Sequence, residues 1–417
     1  SELGDVLVAG DFNFDSTVDL ASSAINYSSS TGRAYIFHND GSIPTTASTA
    51  DVIITGETAG DAFSWSLTSG DWNADGRTDL AVDATSYSSA AGRVYIFLND
   101  GSIPTTGATA DIILTGEASS SFGYVLNSGD FNADGKTDLV ISSAASTAGR
   151  VNIYTFNDPV ITGETVFGEF AYAMVAGDLN ADGRTDLAVG AWAYTTNTGR
   201  VYVFYNDGIY PTGAASADVI MTGETTTNYF GWALAAGDFN ADGKTDLSVG
   251  AYQYSSSTGR AYIFYNDGSY PTAAGSADVI LNGDQYFGYA LTAGDFNADG
   301  RVDLAVGAYN YGSGAGRAYI FHNDGAYPSG ATTADVIIFG EASSQFGYIL
   351  VSGDLNTDGK TDLAVGASGY SSSTGRVYIF NNDGSIPTTA ATADVIITGE
   401  NTGDAFGRSQ TSGDFNA

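Results

Sequence analysis

An acidic motif of nine residues recurs along the chain at nearly constant intervals. The stretch GDFNADGKTDL occupies 129–139 and occurs again, unchanged, at 237–247. Successive motifs begin 57 to 60 residues apart, except for one interval of 48, and a further incomplete motif starts at Asp414. A period of this length indicates one structural unit repeated along the chain, which restricts the fold to a repeat architecture. The seven complete motifs begin at Asp11, Asp71, Asp130, Asp178, Asp238, Asp295 and Asp354.

Each repeat contains four short apolar segments, which are clearest at 230–281. They read FGWALAAGDF, TDLSVGAY, GRAYIFYND and ADVIL, and are bounded by Gly, Asn, Asp and Ser. This pattern predicts four β-strands per repeat, and no sustained 3.6-residue periodicity predicts helices. We therefore expect an all-β fold, a seven-bladed β-propeller of four-stranded antiparallel blades with Ca-binding loops, although a solenoid of the same units is an alternative.

The repeats also define the expected domain boundaries. Residues 1–403 make up the seven-bladed propeller, and residues 404–417 are a partial eighth repeat that holds only a first strand. The third repeat is short, because it reads NDPVITGE (157–164) where its neighbour reads NDGSIPTTGATADIILTGE. Ring closure often borrows a strand from the opposite terminus, but neither end of the chain supplies an obvious fourth strand.

The acidic motif has the donor pattern of a calcium loop, D-x-N-x-D-G-x-x-D. Oxygen donors at positions 1, 3, 5 and 9, with the carbonyl of position 7, suit Ca²⁺ better than the smaller octahedral Mg²⁺. Glycine at position 6 allows the sharp turn. The predicted metal ligands are Asp11, Asn13, Asp15, Asp19, Asp71, Asn73, Asp75, Asp79, Asp130, Asn132, Asp134, Asp138, Asp178, Asn180, Asp182, Asp186, Asp238, Asn240, Asp242, Asp246, Asp295, Asn297, Asp299, Asp303, Asp354, Asn356, Asp358 and Asp362.

The first loop departs from this pattern, since Ser16 stands where the other loops have glycine. A non-glycine residue at positive φ carries strain of about 1 kcal/mol, so we expect up to seven calcium ions, with the first site the weakest. Seven ions would neutralise fourteen of the 34 net negative charges and stabilise the folded chain by linkage.

Composition excludes several classes of function. A net charge of −34 repels nucleic acid and anionic membranes, and the longest apolar runs are too short for membrane insertion. The chain has no cysteine and two histidines, so disulfides and His-based zinc sites are not expected. The opening residues have no basic stretch followed by an apolar one, so no signal peptide is expected. Weak multi-carboxylate loops suit millimolar calcium, which predicts an extracellular or cell-surface location.

Two dipeptides flank the acidic loop in most repeats. Phe-Gly precedes the first strand, and Gly-Ala ends the second strand. With the loop between them, the chain resembles the FG-GAP repeat of the integrin α-subunit propeller over nearly its whole length. The resemblance implies a calcium-stabilised adhesion or protein-interaction module. The Phe-Gly pairs are Phe122-Gly123, Phe167-Gly168, Phe230-Gly231, Phe287-Gly288 and Phe346-Gly347, with Leu3-Gly4 and Phe63-Ser64 as departures.

Thirteen of the 14 basic residues fall at two repeat positions, the calcium loop and the start of the third strand; the remaining one is Arg408. Each fourth strand ends in an acid. Because the start of strand three and the end of strand four lie side by side in an antiparallel blade, we predict one Arg–carboxylate pair within each blade, with a structural role. The third-strand arginines are Arg33, Arg93, Arg150, Arg200, Arg260, Arg317 and Arg376, and the acids are Glu57, Glu117, Glu164, Glu224, Asp284, Glu341 and Glu400.

The connections between strands two and three open on the face opposite the calcium loops. They carry Tyr and Trp among Ser, Thr and Asn, a composition typical of recognition surfaces. Packing of these rings between blades is the alternative. The candidate ligand-binding residues are Tyr27, Tyr87, Tyr194, Tyr254, Tyr311, Tyr370, Trp192, Tyr252 and Tyr309.

Three functions compete. The first is calcium-binding adhesion or protein interaction without catalysis, with a protein ligand on the aromatic face. The second is a multivalent lectin, with a glycan on the same face. The third is an enzyme domain, which would need one blade to break the symmetry with a catalytic cluster, and no blade does so. Fold alone does not decide among them.

Overall fold

The computed structural model describes residues 6–39, 46–131, 136–144, 149–154, 160–164, 168–207, 211, 213–403, 405 and 409–410. The strands form seven separate sheets, and within each blade consecutive strands pair antiparallel. The first strands of neighbouring blades contact one another around a central axis. The predicted seven-bladed β-propeller is therefore confirmed, and one repeat supplies the four antiparallel strands of each blade.

The strands of the first four blades follow the repeats in order. They are β1 (Val6–Gly10), β2 (Asp19–Ala24), β3 (Arg33–Phe37) and β4 (Val52–Thr55); β5 (Phe63–Gly70), β6 (Asp79–Ala84), β7 (Arg93–Phe97) and β8 (Ile112–Thr115); β9 (Phe122–Gly129), β10 (Asp138–Ser143), β11 (Arg150–Tyr154) and β12 (Val160–Thr162); and β13 (Phe170–Gly177), β14 (Asp186–Ala191), β15 (Arg200–Phe204) and β16 (Val219–Thr222).

The last three blades repeat the same order, and a short strand follows them. They are β17 (Ala233–Gly237), β18 (Asp246–Ala251), β19 (Arg260–Phe264) and β20 (Val279–Asn282); β21 (Ala290–Gly294), β22 (Asp303–Ala308), β23 (Arg317–Phe321) and β24 (Val336–Phe339); β25 (Phe346–Gly353), β26 (Asp362–Ala367), β27 (Arg376–Phe380) and β28 (Val395–Thr398); and β29 (Ser409–Gln410).

Helical structure in the described residues is limited to single turns, as the sequence predicted. Six four-residue turns join strands two and three, and in each of them two central residues have left-handed φ and ψ values. Six 3₁₀ turns precede the fourth strands: Ala47–Thr49, Gly107–Thr109, Ala214–Ser216, Ala274–Ser276, Ala331–Thr333 and Ala390–Thr392. The left-handed turns are α1 (Tyr27–Ser30), α2 (Tyr87–Ala90), α3 (Tyr194–Asn197), α4 (Tyr254–Ser257), α5 (Tyr311–Gly314) and α6 (Tyr370–Ser373).

The hydrophobic core lies in the seams between blades. At the seam between blades 4 and 5, Phe230 packs edge-on against Tyr262 with ring centroids 5.4 Å apart, and both are fully buried. Burying an aromatic side chain contributes about 1.5–3 kcal/mol. The same arrangement recurs at Phe287–Tyr319 and Phe346–Tyr378. This explains why the repeats keep a phenylalanine before the first strand.

The glycines of both dipeptides meet at the same seams. Gly231 has φ +85°, and a Cβ added at Gly190 would lie 2.1 Å from the Gly231 carbonyl oxygen. In blades 1 to 3 the position of Gly190 holds Ser23, Asp83 and Ser142 instead. Their side chains accept hydrogen bonds from the first strand of the same blade. The unusual Asp83 is therefore a structural acceptor.

The assignment of Phe167-Gly168 as the fourth Phe-Gly pair is wrong. The equivalent pair is Phe170-Ala171, since Phe170 begins β13, is buried and pairs with Ala191 as Phe346 pairs with Ala367. Phe167 itself lies outside the described residues. In the other repeats the phenylalanine precedes the acidic motif by eight positions. Applying that spacing would have selected Phe170.

The ring closes through contacts between blades 7 and 1. Tyr35 and Phe37 share a buried cluster with Val377 and Ile379. The Asn39 side-chain amide donates a 2.8 Å hydrogen bond to the backbone carbonyl of Leu355. In addition, β29 pairs in parallel with β1 on its free edge and contacts β5 and β25. It is therefore an added fifth strand of blade 1, and the four strands of that blade are already complete without it.

Candidate functional site

The acidic loops lie where strand one of each blade turns into strand two. In the loop at 71–79, the Asp71 carboxylate accepts backbone N–H bonds from Asp75 and Gly76 at 3.0 and 2.8 Å. Asn73 accepts a 3.0 Å bond from Asp75, and Asp75 accepts a 2.9 Å bond from Arg77. The loops at 11–19, 178–186, 238–246, 295–303 and 354–362 repeat this network. Asn132 and Asp134 of the third loop lie outside the described residues.

The aspartate at position 9 is the buried member of each loop. The Asp79 side chain is fully buried, and its two carboxylate oxygens accept backbone N–H bonds from Asn99 at 2.7 Å and Trp72 at 3.0 Å. Burial raises the pKa of Asp79 to about 6. Asp246 differs, because one of its buried oxygens has no hydrogen-bond partner, and burial raises its pKa to about 7.

These observations bear on whether a calcium ion would fit. The donors are carboxylate and amide oxygens, which calcium prefers. Each carboxylate oxygen that accepts one N–H keeps a further lone pair, and the unpartnered oxygen of Asp246 belongs to this donor set. Across the described residues, however, no three or more acidic or histidine side chains are grouped closely enough to hold a metal. The residues therefore fit the ion chemically, while the loops are closed by their own backbone amides.

Ser16 of the first loop adopts the left-handed conformation, with φ 68°, where Gly76 and Gly183 have φ +83° and +86°. The strain expected at this position is therefore present. The loop also carries Phe14 in place of alanine. Its ring is 56% exposed and lies 4.7 Å from the guanidinium carbon of Arg77 in the next loop.

The Arg–carboxylate pairs exist, but the prediction that they lie within a blade is wrong. Arg376 of blade 7 contacts Glu341 of blade 6 at 2.9 Å. Its cross-strand neighbour in its own blade is Thr398. The acid of each blade lies two residues beyond the last strand residue, where the chain has reached the seam with the next blade. The other pairs that the structure describes are Arg93–Glu57, Arg150–Glu117, Arg200–Glu164, Arg260–Glu224 and Arg317–Asp284.

The candidate tyrosines of the strand two–three connections stack on these same arginines. The Arg376 guanidinium carbon lies 3.6 Å from the centre of the Tyr370 ring. The corresponding distances for the other five tyrosines are 3.5 to 3.8 Å. Five of these arginines are therefore each held between a tyrosine of their own blade and an acid of the preceding blade: Arg93, Arg200, Arg260, Arg317 and Arg376. The six tyrosines are Tyr27, Tyr87, Tyr194, Tyr254, Tyr311 and Tyr370.

Trp192, Tyr252 and Tyr309 lie closer to the axis, in a continuous aromatic cluster. Trp192 lies 5.4 Å from Trp232 and Tyr252 lies 4.6 Å from it, measured between ring centroids. Tyr309 lies 4.3 Å from Tyr289, and burial raises the pKa of Tyr309 to about 12. At neutral pH its hydroxyl is therefore a hydrogen-bond donor.

The inner part of this cluster is an arc that runs from blade 2 to blade 7. Its six rings follow one another at centroid distances of 4.5 to 5.6 Å. They line a cavity of about 430 Å³ on the axis, and no charged side chain is among its described lining residues. The arc is formed by Trp65, Tyr124, Tyr172, Trp232, Tyr289 and Tyr348.

Sequence reasoning did not find the arc, although a signal was present. In all six blades the ring lies two residues after the buried phenylalanine that begins the repeat, as Tyr124 follows Phe122 and Trp232 follows Phe230. These residues lie at the start of the first strand, so they lie at the end of the channel opposite the acidic loops.

Comparison with known families agrees with this geometry. The FG-GAP repeat matches residues 122–154, 170–204, 230–264, 287–321 and 346–380, and an FG-GAP-like repeat matches 7–82. Together they cover more than half of the chain. The chain belongs to the FG-GAP repeat family. The fourth match begins at Phe170, in agreement with the corrected assignment.

Individual relatives of this FG-GAP protein include integrin alpha chains and a phospholipase D. Integrin alpha-PS2 of Drosophila melanogaster is 38% identical over 182 residues, 39% of this chain and 13% of that protein. Integrin alpha-7 of Rattus norvegicus is 36% identical over 159 residues, 36% of this chain and 14% of that protein. Phosphatidylinositol-glycan-specific phospholipase D of Rattus norvegicus is 36% identical over 151 residues, 32% of this chain and 18% of that protein. The matched region spans less than a fifth of each relative.

Membrane insertion was not expected from the sequence. In the described residues of this FG-GAP protein, no helix has the length and apolar character needed to cross a bilayer.

Proposed function

We propose that this chain is a calcium-binding, non-catalytic β-propeller of adhesion or protein interaction that acts outside the cell or at its surface. Its ligand is a protein that binds on the face opposite the acidic loops. The observation that carries the proposal is the aromatic arc around the central channel, which offers stacked rings and hydroxyl donors, with no charged side chain among the described lining residues. Exposed Tyr and Trp are enriched where proteins bind one another.

The acidic loops would hold calcium on the other face. Asp, Asn and Asp at positions 1, 3 and 5, with the buried Asp at position 9, supply the oxygen donors in each loop. A bound ion would neutralise the acids that meet where strands one and two turn. This role is structural, because binding to the folded chain alone stabilises it by mass action.

The calcium proposal is tested by titrating the metal-free chain with calcium in a calorimeter and by measuring Tm with calcium and with a chelator. We expect several weak sites and a higher Tm with calcium. Asp238→Asn should remove about one site, while the exposed acid outside the loops, Asp267, provides a matched control as Asp267→Asn. An unchanged Tm after chelation would contradict the proposal.

A carbohydrate ligand is the second candidate, favoured by the same neutral, hydroxyl-bearing lining. Binding of the chain to arrays of secreted proteins and of glycans, both in millimolar calcium, separates the two. We expect selected proteins to bind at least about tenfold more weakly to Trp232→Ala, and equally well to Phe339→Ala, a control on the exposed rim. Saturable binding to one sugar class, competed by the free sugar, would replace the protein proposal with the lectin.

A further inference from the structure

A chain segment fills the outer part of nearly every seam. In six blades the connector between strands three and four passes alongside the fourth strand of the preceding blade. The Thr55 N–H at the end of β4 donates a 2.9 Å hydrogen bond to the Thr105 carbonyl of the blade 2 connector, and Thr106 bridges Thr55 in parallel. The remaining bridges are Thr46–Thr398, Thr162–Gly213, Thr222–Ala273, Asn282–Gly330 and Phe339–Thr389.

The connector also covers apolar side chains. Ala274 of the blade 5 connector is fully buried in the same cluster as Met221 of β16, which has no exposed surface. At four other covered seams the equivalent alanine shares a buried cluster with a fully buried residue of the fourth strand: Ala47 with Ile397, Ala214 with Ile161, Ala331 with Leu281 and Ala390 with Ile338. At the remaining covered seam the connector has Gly107 at this position, and Ile54 of β4 is likewise fully buried. The connector therefore completes both the hydrogen bonding of the fourth strand and its apolar packing.

Among the described residues, none covers the seam between blades 2 and 3 in this way. The third repeat is shorter by the length of a connector, and no residue in the described part of the chain bridges Thr115 at the end of β8. Ile112 of β8 is 42% exposed. Leu114 is partly exposed, whereas the residues at the same position of the fourth strand in blades 1 and 4 to 7 are fully buried. We name the surface formed by Ile112, Leu114 and Thr115 the rim notch.

The ion pair beside the rim notch supports this description. The side chains of Arg150 and Glu117 are 39% and 74% exposed, whereas those of the other interblade pairs are 17–29% exposed. In a covered seam the connector packs over the acid. At Gly275 of the blade 5 connector, for example, a Cβ would lie 3.5 Å from the Glu224 side chain. The exposed pair is thus a second, independent sign that a covering segment is missing.

We propose that the rim notch binds an extended, uncharged segment of a partner protein, which adds in parallel alongside Thr115 and places a small residue, alanine or glycine, over Leu114. The six covered seams define this occupant, because each is filled by a stretch of that kind; in blade 2 the stretch is SIPTTGATA, residues 102–110. Strand addition at an exposed edge takes its affinity from backbone hydrogen bonds and its selectivity from side-chain pockets. This surface is separate from the aromatic arc and does not depend on the function proposed above.

The test uses a fluorescently labelled peptide with the sequence SIPTTGATA and the complete chain, followed by fluorescence anisotropy. We expect saturable binding with a dissociation constant below about 1 mM, and no binding of a scrambled peptide. Ile112→Lys should weaken binding at least about tenfold. Ile113→Lys is the matched control, since Ile113 is 40% exposed on the same strand but points to the opposite side. Equal effects of the two substitutions, or no saturable binding, would overturn the proposal.

A second variant keeps the test independent of those substitutions. Replacing NDPVITGE (157–164) by the blade 2 sequence NDGSIPTTGATADIILTGE supplies the missing connector within the chain. We expect this graft to abolish peptide binding and to raise Tm. A folded graft that binds the peptide as well as the unaltered chain does would show that the peptide binds elsewhere and would refute the assignment.

Discussion

Removal of one interblade arginine is the most direct test of how the blades are joined. Arg376 of blade 7 makes three contacts. Its guanidinium donates a 2.9 Å hydrogen bond to Glu341 of blade 6 and a 2.9 Å bond to Thr398, and it stacks 3.6 Å from the centre of the Tyr370 ring. Arg376→Ala removes all three contacts. The Tyr378 hydroxyl, which donates a 2.8 Å hydrogen bond, is then the remaining described partner of the Glu341 carboxylate.

The expected loss follows from these contacts. The two side chains of the ion pair are 21% and 29% exposed, so solvent screening limits the pair to about 0.5–1 kcal/mol. The stacking contributes about 0.5–1 kcal/mol, and the bond to Thr398 about 0.5–1 kcal/mol. Arg376→Ala should therefore lower the free energy of unfolding by about 1.5–3 kcal/mol.

Blade 3 provides a matched control. Arg150 pairs with Glu117 at 2.9 Å, but the two side chains are 39% and 74% exposed. The stretch of its repeat that ends strand two and leads into strand three, SSAASTAG at 142–149, contains no tyrosine. Arg150→Ala should therefore cost about 0.5 kcal/mol or less.

Urea unfolding followed by tryptophan fluorescence measures both losses, and a double-mutant cycle identifies the partner. Arg376→Ala combined with Glu341→Gln should show a coupling of about 0.5–1 kcal/mol. The same cycle with Glu400→Gln, the acid of its own blade, should show none. A coupling to Glu400 that equals or exceeds that to Glu341 would refute the interblade geometry, as would an equal cost for Arg150→Ala.

Three further predictions concern the acidic loops and Asp83. Ser16→Gly should relieve the left-handed strain and strengthen calcium binding at the first loop by about 0.5–1 kcal/mol, as a calorimetric titration would show. Burial raises the pKa of Asp246 to about 7 and that of five other position 9 aspartates to about 6, so the folded state favours their protonated form; the five are Asp19, Asp79, Asp186, Asp303 and Asp362. Without calcium, stability should be highest below about pH 4 and fall as pH rises through 6–7; the urea midpoint at several pH values in chelator tests this. Asp83→Ala should lower the free energy of unfolding by about 1–3 kcal/mol, because it leaves the Ser66 N–H unpaired. Asp83→Ser, which copies the serine of blades 1 and 3, should unfold at a higher urea concentration than Asp83→Ala.

The fold was predictable because the same sequence pattern occurs in seven repeats. The spacing of the acidic motifs gave the number of blades, and the short apolar segments gave four strands in each. Partners across seams were harder to assign, because strand order within a blade says nothing of where a residue beyond the last strand points. Glu341 is near Arg376 in space only because the chain turns towards the next blade after β24.

Candidate site residues were predictable to different degrees. The loop aspartates were identified by their donor pattern, which is local in sequence. The arc of Trp65, Tyr124 and their equivalents depends on the convergence of six strands on one axis, which a single repeat does not reveal. The calcium assignment remains a prediction, as does a ligand role for Tyr27 and its equivalents, whose rings stack on arginines.

The completeness of each four-stranded blade has a consequence for how the ring can be cut. The four antiparallel strands of every blade come from one continuous repeat, and β29 is added at the free edge of blade 1. Apart from β29, blades 7 and 1 meet through side chains and the Thr46–Thr398 bridge, as neighbours elsewhere do. The position of the chain ends is therefore interchangeable between seams. Circular permutants opened at any covered seam should fold to the same ring, whereas a propeller that is closed by strand exchange has only one seam suited to its termini.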